Sequence, residues 1–239
     1  MVSRISASAS VPRSLPACVA LALGLAGAAP QAAAIDQGTF AIPSAVDRVW
    51  SMDVQHRMPQ PIRVEGRWYW YLPYTVTNNT GEDRLFIPDI ALVTDRGRIL
   101  QAGEGVPPSV YPAIRQRLGN PLLIPPQEMI RTLRQGEDFA TDSVAIWPAP
   151  PTNTARMDIF FSGHSGETAP LLSPSTGQPI LRPQVDAVTG EVLRDPEGNP
   201  ILRPILTRRT LRLHYLTPGT PPTPADQLIR LANVESVMR

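Results

Sequence analysis

Residues 67–100 read RWYWYLPYTVTNNTGEDRLFIPDIALVTDRGRIL, and five of the chain's fourteen aromatic residues fall between Trp68 and Tyr74. Successive side chains of a strand point to opposite faces. The even positions place Trp68, Trp70, Leu72, Tyr74 and Val76 on one face, and the odd positions place Tyr69, Tyr71, Pro73, Thr75 and Thr77 on the other. One face is strongly apolar and the other mixed, which predicts a half-buried antiparallel strand. The two-residue period assigns Trp68, Trp70 and Tyr74 to a core. Tyr69 and Tyr71 either pack under another strand or form an exposed aromatic pair, a candidate binding surface. Asn78-Asn79-Thr80-Gly81 carries turn chemistry, because Asn and Gly tolerate positive φ. Phe86–Thr94 reads as the next strand, and Asp95-Arg96-Gly97-Arg98 turns it into Ile99–Ala102.

The run TVTNNTGED, then LFIPDIALVTDRGRIL, then LRQGEDFATDSVAIWP resembles secreted immunoglobulin-like β-sandwich domains of unknown function in bacteria. The matching later segment is Leu133 to Glu137 followed by Val144 to Pro148. The resemblance spans roughly residues 60–163, with a last strand at 208–216, and Gly103–Pro126 is an insertion. It implies an all-β, immunoglobulin-like antiparallel sandwich with a β-hairpin arm and a short C-terminal helix. Its motifs are turn-and-core motifs, so no catalytic residue transfers with them.

The leader points to export. Arg4 and Arg13 precede the apolar run Ala17–Ala29, and Ala32-Ala33-Ala34 supplies small residues for cleavage. That is the pattern of a signal peptide over 1–34, too short in its apolar part to span a bilayer. Cleavage is expected after Ala34, with Ala28 as the alternative. Cys18 stands at the start of the apolar run rather than after it, where a lipidation site would lie, so no lipidation is expected, and removal of the leader leaves no cysteine. A disulfide-free exported chain fits a bacterial periplasm or exterior. The remaining chain has 205 residues (239 less 34), and 20 arginines against 21 acids give a net charge of −1. Nothing in that balance asks for nucleic acid, and no transmembrane segment is expected after cleavage. The 28 prolines are more than twice the usual ~5%. They argue for strands and loops over helices.

The domain of residues 35–217 therefore carries several additions. Ser109–Leu118 predicts one short helix, stopped by Gly119. Residues 120–127 form a proline-bound loop, Glu128–Leu133 returns to strand, and Met157–Ser162 reads as a core strand. A hairpin insertion is expected at about 164–207, because GQPILRP at 177–183 recurs as GNPILRP at 198–204 with GEVLRDP at 190–196 between them. Its Arg182, Arg194 and Arg203 either simply face water or form a basic strip for an acidic polymer. Asp186, Glu191, Asp195 and Glu197 interleave with them and cancel the field. Arg209–Thr217 alternates and predicts a closing strand with Leu211, Leu213 and Tyr215 inward. Residues 218–239 read as a proline-rich linker and an amphipathic helix. Thr223 stands at its cap, and Leu228, Leu231 and Ala232 lie on one face. That helix either covers a sheet edge or docks a partner.

No catalytic, cofactor-binding or metal-binding set stands out. Gly163-His164-Ser165-Gly166 lacks the last glycine of a nucleophile elbow, where Glu167 stands, and no helix follows it. His56, His164 and His214 show no ligand spacing, and Gly136-Glu137-Asp138 with Asp142 reads as a solvated turn rather than a calcium loop. The expected function is an exported, non-enzymatic binding module with a protein or surface-polymer partner. Two alternatives are a secreted hydrolase with a loop-assembled site around the histidines, and a structural module that associates with itself.

Overall fold

The structure is a computed structural model and describes residues 49–239. The expected signal peptide and its cleavage site lie outside these residues. Fourteen strands and one α-helix follow in chain order: β1 (Asp53–His56), β2 (Gln60–Val64), β3 (Arg67–Thr77), β4 (Arg84–Phe86), β5 (Asp89–Thr94), β6 (Ile99–Gln101), α1 (Val110–Leu118), β7 (Arg131–Leu133), β8 (Thr141–Pro148), β9 (Arg156–Ser162), β10 (Thr168–Pro170), β11 (Leu181–Pro183), β12 (Leu202–Pro204), β13 (Leu206–Leu216) and β14 (Arg230–Met238). All the ladders between these strands are antiparallel. No helix among the described residues is long and apolar enough to cross a membrane.

The first sheet is built on β3. One edge of β3 pairs with β8, and the other edge pairs with β2 and then β1. The β2–β3 hairpin turns on Glu65-Gly66, both at positive φ, as a tight two-residue connection requires. The second sheet runs in the order β6-β5-β9-β13-β14, with β10 alongside the start of β13. The inner faces of the two sheets share one core. Trp70, Leu72, Tyr74, Val76 and Trp147 come from the first sheet, and Leu92, Ile159, Phe161, Leu213 and Tyr215 from the second. Tyr74 meets Phe161 edge-on at 5.0 Å, a favoured aromatic geometry. The short β4–β7 ribbon adds Phe86 and Leu133 to the same core.

The mixed face of β3 is buried as well, against the half-buried expectation. Helix α1 lies over it with Val110 and Ile114, and these pack with Tyr69, Tyr71, Val144 and Ile146 in a second core. The Tyr71 hydroxyl donates to Gln60 Oε1 at 2.7 Å, so the phenol keeps its hydrogen bond under the helix. Gly119 closes α1 at φ 61, the left-handed cap that glycine accepts at low cost.

The chain end is a correction. Residues Leu228, Leu231 and Ala232 do not lie on a helix. After a single 3-10 turn at Pro224–Asp226 the chain becomes β14, which pairs with β13 from Arg209↔Met238 to Leu216↔Arg230. Without β14, that edge of β13 over Arg209–Leu216 would be left unpaired, and the ladder satisfies its backbone groups. A helix of three turns is marginal in water. The register slips at Ala232, so Leu231 and Val234 both fall on the inner side of the sheet. The three-residue interval from Leu231 to Val234, which fits a helix turn, is the trace of that bulge, while Leu228 lies in the preceding loop.

Candidate functional site

The most distinctive surface is the arm between β10 and β13. Its root is the pairing of Thr168–Pro170 with Leu206–Arg208. Beyond the root, three backbone hydrogen bonds close a ring. Leu171 N–H donates to Ile205 O (2.8 Å), Ile205 N–H to Ile180 O (2.9 Å), and Ile180 N–H to Leu171 O (2.8 Å). The β11–β12 stem follows, and a second ring repeats the pattern. Gln184 N–H donates to Ile201 O (2.8 Å), Ile201 N–H to Leu193 O (2.9 Å), and Leu193 N–H to Gln184 O (2.8 Å). Three small hairpins hang from these two junctions. Their turns end at Gly177, Gly190 and Gly198, all at positive φ, which explains the glycine in each repeat.

The arm satisfies its backbone yet has no core. Neither hydrophobic cluster contains a residue between Leu171 and Ile205. Nine large aliphatic side chains from Leu171 to Leu202 stay exposed, with Val188 at 93%. A short hairpin is marginal alone, and this exposure makes the arm a candidate contact surface. Arg182 and Arg203 stand directly opposite each other across the stem. Like charges in that position repel, and neither forms an ion pair among the described residues. Arg194 sits apart, its Nη1 donating to Gly198 O at 2.8 Å.

The other residues singled out from sequence are placed differently. Tyr69 and Tyr71 are 3% and 0% exposed beneath α1, so they do not form a surface pair. Leu228 is exposed in the loop before β14, Leu231 is opposite Tyr215 in β14 but still exposed, and Ala232 is the bulge. His56, His164 and His214 occupy three different parts of the molecule. His56 lines a cleft of about 200 Å3 beside the end of α1. His164 is buried where the chain leaves β9, and its Nδ1 makes no hydrogen bond. Burial, with the nearby positive charge of Arg209, lowers its pKa and keeps the ring neutral. Ser165 beside it is engaged, donating to Trp50 O (2.9 Å) and accepting from Glu167 N–H (3.1 Å).

Two polar clusters escaped the sequence reading. In the cleft, Gln55, Thr75 and Asp142 line up across β1, β3 and β8. Thr75 Oγ1 donates to Asp142 Oδ1 at 2.6 Å and Asn120 Nδ2 donates to Oδ2 at 2.8 Å, while the Ser143 hydroxyl donates to Ile124 O. This holds a carboxylate still but poises no nucleophile. On the outer face of the second sheet, Asp158 Oδ1 accepts from His214 Nδ1 (2.6 Å) and Arg212 Nε (3.1 Å), and Arg212 also reaches Glu235 (2.7 Å). Burial would raise the Asp158 pKa, but the hydrogen bonds and charge of Arg212 and His214 outweigh it, and the net shift is downward. Period-2 alternation shows that these side chains share a face; only the strand register brings them together. No group of three or more His, Cys, Asp or Glu among the described residues is placed to hold a metal ion.

Comparison of the chain with protein-family models, with curated proteins and with solved structures finds no match.

Proposed function

We propose that this chain is an exported, non-enzymatic binding module of the bacterial envelope. Its scaffold is an immunoglobulin-like pair of sheets, and its contact surface is the hairpin arm. The supporting observation is the arm itself: a self-bonded backbone that presents nine exposed aliphatic side chains outside either core. The leader and the lack of cysteine after Ala34 support export. Covering such a surface by a partner stabilises the complex by about 25 cal/mol per Å2 of apolar area before association costs.

The test removes the arm and nothing else. Pro170 and Leu206 face each other across the root ladder. Replacing 171–205 with Asn-Gly therefore joins two strands through a connection of ordinary hairpin length. The full-length and arm-replaced chains, purified after export, are used to capture partners from envelope extract under identical conditions. The proposal expects both to fold and only the chain with its arm to retain a partner. Equal capture by both chains contradicts it.

A further inference from the structure

The charges of the arm are interleaved in sequence but separated in space. The stem and root, residues 168–184 and 201–208, hold Arg182, Arg203 and Arg208 and no acid. The two distal hairpins, residues 185–200, hold Asp186, Glu191, Asp195 and Glu197 against Arg194 alone. Arg209 is met by Glu167 at 3.0 Å, and Arg194 is turned onto the Gly198 carbonyl. The arm thus carries a basic stem and an acidic tip. The acids that shape the tip are held in place: Asp186 Oδ1 accepts the Val188 and Thr189 N–H groups at 2.8 Å, and Asp195 Oδ1 accepts Asn199 N–H at 2.8 Å. Glu191 and Glu197 make no hydrogen bond or ion pair through their side chains among the described residues, and neither do Arg182 and Arg203.

A basic stem and an acidic tip on one arm are complementary to the same arm reversed. We infer that the partner of the arm is a second copy of this chain, with the two arms antiparallel, each tip on the other's stem, and the exposed aliphatics between them. This rests on the reading of the arm as the contact surface. The antiparallel arrangement is closed, since one two-fold axis satisfies both tip–stem contacts. It also relieves a local cost. The opposed Arg182 and Arg203 receive the carboxylates of Glu191 and Glu197, which turns a like-charge pair into a bridged one.

The experiment is sedimentation equilibrium of the exported chain and two charge-reversed variants. One carries Arg182→Glu with Arg203→Glu, the other Glu191→Arg with Glu197→Arg. The wild type is expected to be a dimer that weakens as salt shortens the Debye length from ~8 to ~3 Å. Each variant puts like charges at both contacts and should dissociate at least about tenfold more readily. Mixed in equal amounts, the variants should recover a dimer, because each stem then meets a tip of opposite sign. Unchanged thermal unfolding of each variant verifies that its arm surface, not its fold, was altered. A monomeric wild type at high concentration overturns the inference, as does a dimer indifferent to both reversals. If the wild type is monomeric while arm replacement still abolishes capture from extract, the arm binds another partner and only the self-pairing is refuted. If neither self-association nor capture depends on the arm, both readings fall.

Discussion

The Gly163→Ala substitution tests the joint where the β4–β7 ribbon runs into the second sheet most sharply. Gly163 follows β9 at φ +92, and a Cβ there would sit 2.0 Å from Ile87 O and 2.9 Å from Ile87 C. Both are backbone atoms, so no side chain can swing aside. Relief requires the Ile87–Pro88 segment to withdraw by roughly 1 Å. That segment leads into β5, whose Asp89 pairs with Ser162 and accepts its hydroxyl at 3.0 Å. Beyond it Ile90 and Leu92 are core residues. Left-handed strain costs about 1–2 kcal/mol and overpacking about 1–3 kcal/mol, so a loss of roughly 2–5 kcal/mol is expected. Gly190→Ala is the control: its φ is +73, but nothing lies within 4 Å of its Cβ. It carries only the backbone strain of about 1 kcal/mol, confined to the arm. Urea unfolding followed by tryptophan fluorescence measures both. If Gly163→Ala lies within about 1 kcal/mol of the wild type, the reasoning about this joint is refuted.

Further outcomes follow from the same structure. Asp158→Ala should cost about 1–3 kcal/mol at neutral pH, since Arg212 and His214 lose a charged acceptor at a nearly buried site. Its lowered pKa means that the contribution is complete above the ordinary value of 3.8 and is lost as pH falls through the folded value. The variant should therefore show a flatter acid limb in unfolding experiments. His164 has the opposite linkage. Its pKa is below 6.5 in the fold, so the unfolded chain binds the proton first and stability falls as pH drops below about 6.5. His164→Leu should remove that slope between about pH 7 and 5. Truncation at Pro218 deletes β14 and exposes the edge of β13. It should lower Tm by more than about 5 °C and promote aggregation, whereas loss of a tethered helix would leave Tm unchanged.

Much of the scaffold was legible because it rests on local patterns. Trp70, Leu72, Tyr74 and Val76 alternate into the core as their spacing implies, whereas Trp68, assigned with them, stays half-buried at the start of β3 outside it. α1 spans Val110–Leu118 and ends at Gly119 as the residues indicate. The recurring glycines do mark the turns of the arm. What was hidden depends on partners distant in the chain. Tyr69 and Tyr71 sit under a helix about forty residues away, so no pattern within β3 distinguishes a covered face from an exposed one. In β14 one bulge converts a strand's spacing into that of a helix turn, and the open edge of β13 decides the outcome. The Asp158–His214 pair is joined by register across β9 and β13. In the linear order the two stem arginines, Arg182 and Arg203, stand twenty-one positions apart with the acids between them. The segregation of charge on the arm emerges only when Leu181–Pro183 pairs with Leu202–Pro204 and folds the two arginines onto one stem.

Amide hydrogen exchange at low and high protein concentration tests the role of the arm most directly. The account predicts that protection of amides in 171–205 rises at least about tenfold with concentration, while β3, β8 and β14 are unchanged. Concentration-dependent protection at β14 with none in the arm would contradict it, and would move the contact surface to the free edge of the second sheet.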